Sequence, residues 1–250
     1  MLMLDWQRKQ VRDNNGADRR RWLKTAVLIG GSVALLKYLK RGYGSSAIER
    51  ELRMPGDSLI PQAHSRATHA ITIPVPPSSI WPWLLQMGYG RGGWYIDAWW
   101  NQWLNENFWQ RFVPPEVQTK HWPSSEEILP EWQDLAVGDT VPDGPPGTAF
   151  FTVAAIELQR HLVLFSSTHV QYLTPPFLMD TLLAIKGQFC WSFVLEELQG
   201  ESTRLLLRMS GTMQPTMLRI LSIPLLVTAD YLFTRQMLLG IKRRAAPQFA

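Results

Sequence analysis

Residues 188–213 read QFCWSFVLEELQGESTRLLLRMSGTM, two runs of strand-forming residues parted by a short polar connector. Gln188–Glu196 and Thr203–Met213 are rich in aromatic and aliphatic residues, while the intervening Leu198–Ser202 carries Gly200 and charge. A connector of that length joins antiparallel neighbours, because a parallel crossover needs a dozen residues or more. The pattern repeats upstream, where Ala149–Glu157 and Leu162–Ser167 flank the connector Glu157–His161. Four such runs in series predict a meandering antiparallel sheet.

Outward from this core, residues 216–244 form one long helical pattern. Leu218, Leu221, Leu225, Leu232 and Leu239 fall on one stripe, which predicts the face laid against the sheet. Arg219, Asp230 and Arg235 interrupt the apolar run, so a membrane span is disfavoured. On the other side, ATHAITI at Ala67–Ile73 alternates with period two and is ended by Pro74, Pro76 and Pro77. Ser78 is placed to cap a following helix, in which Ile80, Trp83, Leu84 and Met87 recur at helical spacing. The stretch GYGRGGWYIDAWWNQWLNENF at 88–108 then predicts a glycine turn, a short extended piece at Trp94–Ile96, and a second helix over Asp97–Phe108. Its glycines match neither GxGxxG nor GxxxxGK[ST] and follow a helix, so a phosphate loop is not expected. Residues 114–146 read as loop, with a turn around Ile128–Asp134.

Strand, helix pair, antiparallel strands and a long last helix make an α+β chain of the helix-grip type, in which a curved sheet wraps the C-terminal helix around a cavity. Four strings carry a resemblance: ATHAITI, IWPWLLQMGYGRGGWY at Ile80–Tyr95, ILPEWQDLAVGDTV at Ile128–Val141 and LLGIKRR at Leu238–Arg244. Over Leu52–Ala246 the chain resembles the SRPBCC superfamily, which includes START lipid-transfer domains, the birch pollen allergen family and polyketide cyclases. The resemblance implies a cavity for a hydrophobic ligand and supplies no shared catalytic motif.

Charge divides the chain. Residues 1–53 hold 12 Lys/Arg and 5 Asp/Glu, leaving 13 and 16 for the rest. A basic leader on a mildly acidic body argues against a nucleic-acid partner, which requires a basic face on the folded domain. Within residues 1–44, Trp22–Leu39 is apolar between Lys24 and Lys37, and about 18 helical residues span roughly 27 Å, close to a hydrocarbon core. A single N-terminal membrane anchor at 22–39, outside the domain, is one reading. A twin-arginine-like export signal at Asp18–Lys24 (DRRRWLK) and a buried amphipathic helix are the others. Residues 45–66 read as linker and 67–246 as the domain.

The chemistry-bearing residues are few. His64, His69, His121, His161 and His169 form no HExxH and no obvious pairing with carboxylates; GxSxG is absent; Cys190 is the single cysteine and sits between apolar neighbours. No metal, cofactor or thiol nucleophile is expected. Trp94, Tyr95, Trp191, Phe193 and Tyr231 are the expected contacts for an apolar ligand, and Arg208 is placed either to meet a ligand carboxylate or to face water. Glu131, His169 and Arg208 are the polar candidates for catalysis. The apolar insert Thr174–Gly187 reads as a lid, a membrane-touching helix or a helix packed on its own domain. The expected function is a membrane-associated module that binds or transports a lipid or other hydrophobic small molecule. The alternatives are a polyketide cyclase/dehydratase-like enzyme, or a partner surface without a small ligand.

Overall fold

A computed structural model describes residues 25, 30–100, 103, 123–173 and 184–247. The chain divides into two units, Met1–Leu39 and Lys40–Ala250. In the first, residues 30–39 are helical; the twin-arginine-like stretch and most of the expected anchor lie outside the described residues. Among the described residues no helix is long and apolar enough to cross a membrane.

The second unit holds, in chain order, α1 (Ala47–Glu51), β1 (Ser65–Ile73), α2 (Pro77–Leu85), β2 (Thr140–Pro142), β3 (Phe150–Glu157), β4 (His161–Ser166), β5 (Phe189–Leu198), β6 (Ser202–Gly211) and α3 (Thr216–Ala245). The strands form one curved, unclosed antiparallel sheet in the order β1-β6-β5-β4-β3-β2, with α3 packed on it. This is the helix-grip architecture expected from the meander. The β5–β6 hairpin pairs Phe189 with Gly211 through to Leu198 with Ser202, and a bulge in β3 between Val153 and Ala155 shifts its register against β4, a device that bends a strand.

Because side chains alternate along a strand, the pairing sorts residues into two faces. Phe151, Val153, Leu162, Leu164, Phe193, Leu195, Leu205, Leu207, Ile71 and Ile73 face inward, where α2 and the C-terminal half of α3 cover them. Their cross-strand alternates, among them Ala70, Val163, Cys190 and Leu206, face the other way, under Met54 and Ile60.

The helix stripe needs correction. Leu225 and Leu232 are 69% and 42% exposed, whereas Thr234, Met237, Leu238 and Ile241 are buried. At 100° per residue the buried positions lie about half a turn from the leucine stripe. Leu225 and Leu232 are therefore on the outer side, while Leu239 still packs against the core from its flank, and a helix apolar on several sides hides its true seam. That seam is fixed by a close approach: a Cβ on Gly240 would lie 2.1 Å from the Tyr95 carbonyl oxygen. Arg244 locks the helix end, donating to both carboxylate oxygens of Asp97 at 2.7 and 3.1 Å and to the Ser125 carbonyl at 2.7 Å.

The expected linker is part of the domain. Ser46 and Glu49 form a reciprocal capping box that starts α1, and Met54 and Ile60 are buried on the outer face of the sheet. Residues 42–44 run along the edge of β1, where Ala70 N–H donates to the Tyr43 carbonyl at 2.8 Å, so this edge is covered. Ser78 is not the cap of α2; the helix starts at Pro77, whose missing N–H costs nothing in the first turn. The second expected helix, Asp97–Phe108, lies mostly outside the described residues.

Candidate functional site

Six rings meet on the inner face of the sheet. Phe151 on β3 stacks on Trp191 of β5 at a centroid distance of 5.2 Å and an interplanar angle of 23°. Trp94 meets both edge-on, at 5.8 Å from Phe151 and 5.3 Å from Trp191. Phe189 and Phe193 extend the row along β5, and the His169 imidazole lies 4.1 Å from the Phe151 ring. The row exists because Phe189, Trp191 and Phe193 are two apart on one strand. Trp94 reaches it from the turn after α2, where Gly93 at φ 79° leaves no room for a Cβ beside Ser124.

Two features of this cluster are polar. The indole N–H groups of Trp94 and Trp191 are buried and have no hydrogen-bond partner among the described residues. Burying such a donor unpaired costs about 1–3 kcal/mol. His169 is hydrogen-bonded at both ring nitrogens, through Nδ1 to Ser166 Oγ at 2.6 Å and through Nε2 to Asp143 Oδ2 at 2.8 Å. Asp143 sits in the loop between β2 and β3, Ser166 ends β4, and His169 follows in the turn after it.

Of the residues expected to bind ligand, Trp94, Trp191 and His169 come together here. Phe193 is fully buried beside them as core. Tyr95 is also fully buried; its hydroxyl donates to the Trp83 carbonyl at 2.8 Å and Arg244 covers its ring. Burial pushes its phenol well above the ordinary range, so it is a packing residue. Tyr231 packs at the other end of the sheet, against Tyr43 and His69. Glu131 is exposed on the short turn Pro130–Trp132.

Arg208 faces neither ligand nor water. It is buried on the outer face, where its guanidinium donates to Thr68 Oγ1 at 3.1 Å, the Leu52 carbonyl at 2.6 Å, Asp57 Oδ2 at 2.8 Å, and the Glu49 and Arg50 carbonyls at 3.0 Å. It clamps the N-terminal segment to the sheet. Cys190 is buried on the same outer face, and burial pushes its thiol up to about 12, as suits a small packing residue. The insert at 174–183 lies outside the described residues.

Sequence reasoning missed Phe151, Phe189, Ser166 and Asp143. The parity of β5 signals Phe189 once Trp191 is placed inward, and the three-residue spacing of Ser166 and His169 at a strand end is a local signal. Asp143 gave none, because the β2–β3 loop that brings it to His169 lay in sequence read as loop throughout.

Comparison with known proteins adds the following. No family model and no curated protein matches the chain. Among solved structures it is similar to a polyketide-cyclase-like protein of Corynebacterium glutamicum, with 14% identity and TM-score 0.38, covering 74% of this chain and 93% of that one. It is also similar to an aromatase/cyclase from a Streptomyces species, at 10% identity and TM-score 0.31, covering 74% and 95%. A hypothetical protein of Helicobacter pylori is similar at 12% identity and TM-score 0.42, covering 80% and 99%. The strand order and the last helix packed on the curved sheet are this chain's own, and they give it a helix-grip fold.

Proposed function

We propose that the chain binds a flat, apolar small molecule carrying a hydrogen-bond acceptor, seated among Trp94, Phe151, Phe189 and Trp191. One observation carries this reading: two indole N–H groups, on rings 5.3 Å apart, are buried without a partner among the described residues. An oxygen of the ligand, carbonyl or carboxylate, would accept from them and recover their lost hydrogen bonds. The surrounding rings supply the apolar contact that such sites use, with few polar groups to fix orientation. The test titrates 2-acetylnaphthalene into the full-length protein and follows tryptophan fluorescence. Saturable quenching is expected, with Trp191→Phe weakening it about tenfold, the worth of one hydrogen bond of about 1.4 kcal/mol. Failure to quench, together with no hydrophobic molecule extracted from the purified protein, would refute it.

A second reading, an enzyme of the cyclase or dehydratase type acting on the bound molecule, is supported by the Asp143–His169 pair beside the same rings. An ionisable pair at a binding face suits proton transfer. Attachment to a membrane through residues 22–39 is a separate proposal, tested by whether the full-length protein resists carbonate extraction.

A further inference from the structure

Ser166, His169 and Asp143 are linked in a direction that the hydrogen bonds fix. The Asp143 carboxylate only accepts, so His169 Nε2 carries a proton and donates it across 2.8 Å. The other nitrogen, Nδ1, then presents its lone pair to Ser166 Oγ at 2.6 Å. Ser166 Oγ is also 3.0 Å from Thr168 Oγ1, but the Thr168 hydroxyl donates to the Phe150 carbonyl and accepts from the Phe150 N–H, both at 3.1 Å. The serine hydroxyl therefore donates to the imidazole. Its oxygen accepts from the backbone N–H of Thr168 at 3.0 Å and, more weakly, of His169 at 3.4 Å, donors that would stabilise charge on it. A hydroxyl bonded to an imidazole that a carboxylate orients is the arrangement that activates a nucleophile, and which ring nitrogen faces which partner is immaterial to that logic.

The serine faces the ring cluster. Ser166 pairs directly with Phe189 across β4 and β5, so both point inward, and the Phe151 ring lies between His169 and the two unpartnered indoles. We propose that Ser166, His169 and Asp143 form an acyl-transfer site that hydrolyses small, flat, apolar esters. This rests on the binding reading of the same face. Ser166 Oγ attacks the ester carbonyl carbon and its proton passes to His169 Nδ1. The carbonyl electron pair moves onto oxygen to give the tetrahedral intermediate and returns as the leaving bond breaks. The C–O bond to the alcohol then breaks, and the alcohol leaves with the proton from His169. Water, its proton taken by His169, releases the carboxylic acid and restores the serine. Ser166 is 3% exposed, which restricts the site to acyl groups able to enter between the rings.

The test uses full-length protein and 2-naphthyl acetate, reading 2-naphthol by fluorescence and the acyl-enzyme by intact mass, with 2-acetylnaphthalene as the inert ligand. Expected are saturable hydrolysis and a mass increase of one acetyl group on Ser166 after acid quench. Ser166→Ala should return the rate to the blank. Asp143→Asn leaves the backbone contacts of Ser166 in place and should slow hydrolysis on the order of 10²-fold or more while 2-acetylnaphthalene binds unchanged. Hydrolysis unaltered in either variant, or absent while 2-acetylnaphthalene binds, overturns the acyl-transfer site and leaves the binding reading standing. Binding of neither compound overturns both.

Discussion

Replacing Arg208 by methionine separates a structural arginine from a ligand anchor. Methionine keeps the apolar stem but removes five donated hydrogen bonds. Left behind are three backbone carbonyls in the segment 49–52 and the Asp57 carboxylate, whose side chain is 15% exposed. Taken singly, each orphaned acceptor costs about 1–3 kcal/mol. The segment lies at the surface, and Asp57 still accepts the Met54 N–H at 2.9 Å and stands 4.0 Å from Arg66, so water and Arg66 offset part of the loss. The net cost is then about 3–5 kcal/mol, the range for breaking a buried charged pair. At about 2–4 °C per kcal/mol for a domain of this size, the melting temperature falls by roughly 6–20 °C. Arg208→Lys should fall between, since one ammonium cannot reach the same fan of acceptors. Thermal and urea unfolding followed by circular dichroism measure this, and 2-acetylnaphthalene affinity at a temperature where both proteins are folded provides the contrast. A variant as stable as the parent to within about 1 kcal/mol, a small fraction of the stability of an ordinary domain, would refute the clamp. So would loss of ligand affinity at unchanged stability.

Two further perturbations test the packing around the site. The Arg204 guanidinium beside Glu49, with help from Ser46, holds that carboxyl at about 2, below its ordinary 4.5. A depressed folded value means the stabilisation is present above about 4.5 and is lost as pH falls towards 2. Glu49→Gln should therefore flatten the acid limb of a stability–pH curve from urea unfolding, and an unchanged limb would count against the pair. Gly240→Ala gains about 1 kcal/mol of helix propensity but drives a Cβ to 2.1 Å from the Tyr95 carbonyl oxygen. Tyr95 is held by its bonds to Trp83 and Ser124, so overpacking of about 1–3 kcal/mol or more prevails. A lower melting temperature is expected, and a higher one would show that α3 does not approach the turn this closely.

The strands were legible because a short polar connector closes each of the two hairpins, and the four long runs read from 149 onward match β3 to β6 to within two residues. The three residues of β2 were not, since Thr140–Pro142 offers no alternation and is a strand only because Phe150–Thr152 pair with it. The same dependence on distant partners hid the helix seam. The leucines at 225, 232 and 239 make the more regular stripe, but the sheet selects Thr234, Met237, Leu238 and Ile241 because Gly240 alone lets the backbone reach Tyr95. Arg208 looked like a lone charge in an apolar strand. Its partners are carbonyls of a segment with no periodicity, and backbone acceptors leave no mark in a sequence.

The two histidine–aspartate pairs among the described residues show why geometry, more than residue type, decides which of them can do chemistry. His69 on β1 donates through Nε2 to Asp230 at 2.9 Å and accepts the Tyr43 backbone N–H at Nδ1 at 3.0 Å. It is 0% exposed, and a proton added at Nδ1 would face a peptide N–H that cannot turn away. That ring is a fixed bracket between the edge segment 42–44, β1 and α3. His169 has the same carboxylate on Nε2, but its other partner is a hydroxyl, which donates to a bare nitrogen and can swing to Thr168 Oγ1 and accept once the nitrogen is protonated. With its side chain 15% exposed and its face against Phe151, the second pair lies beside the ring cluster with a hydroxyl as its other partner, the combination that the proposed acyl transfer uses.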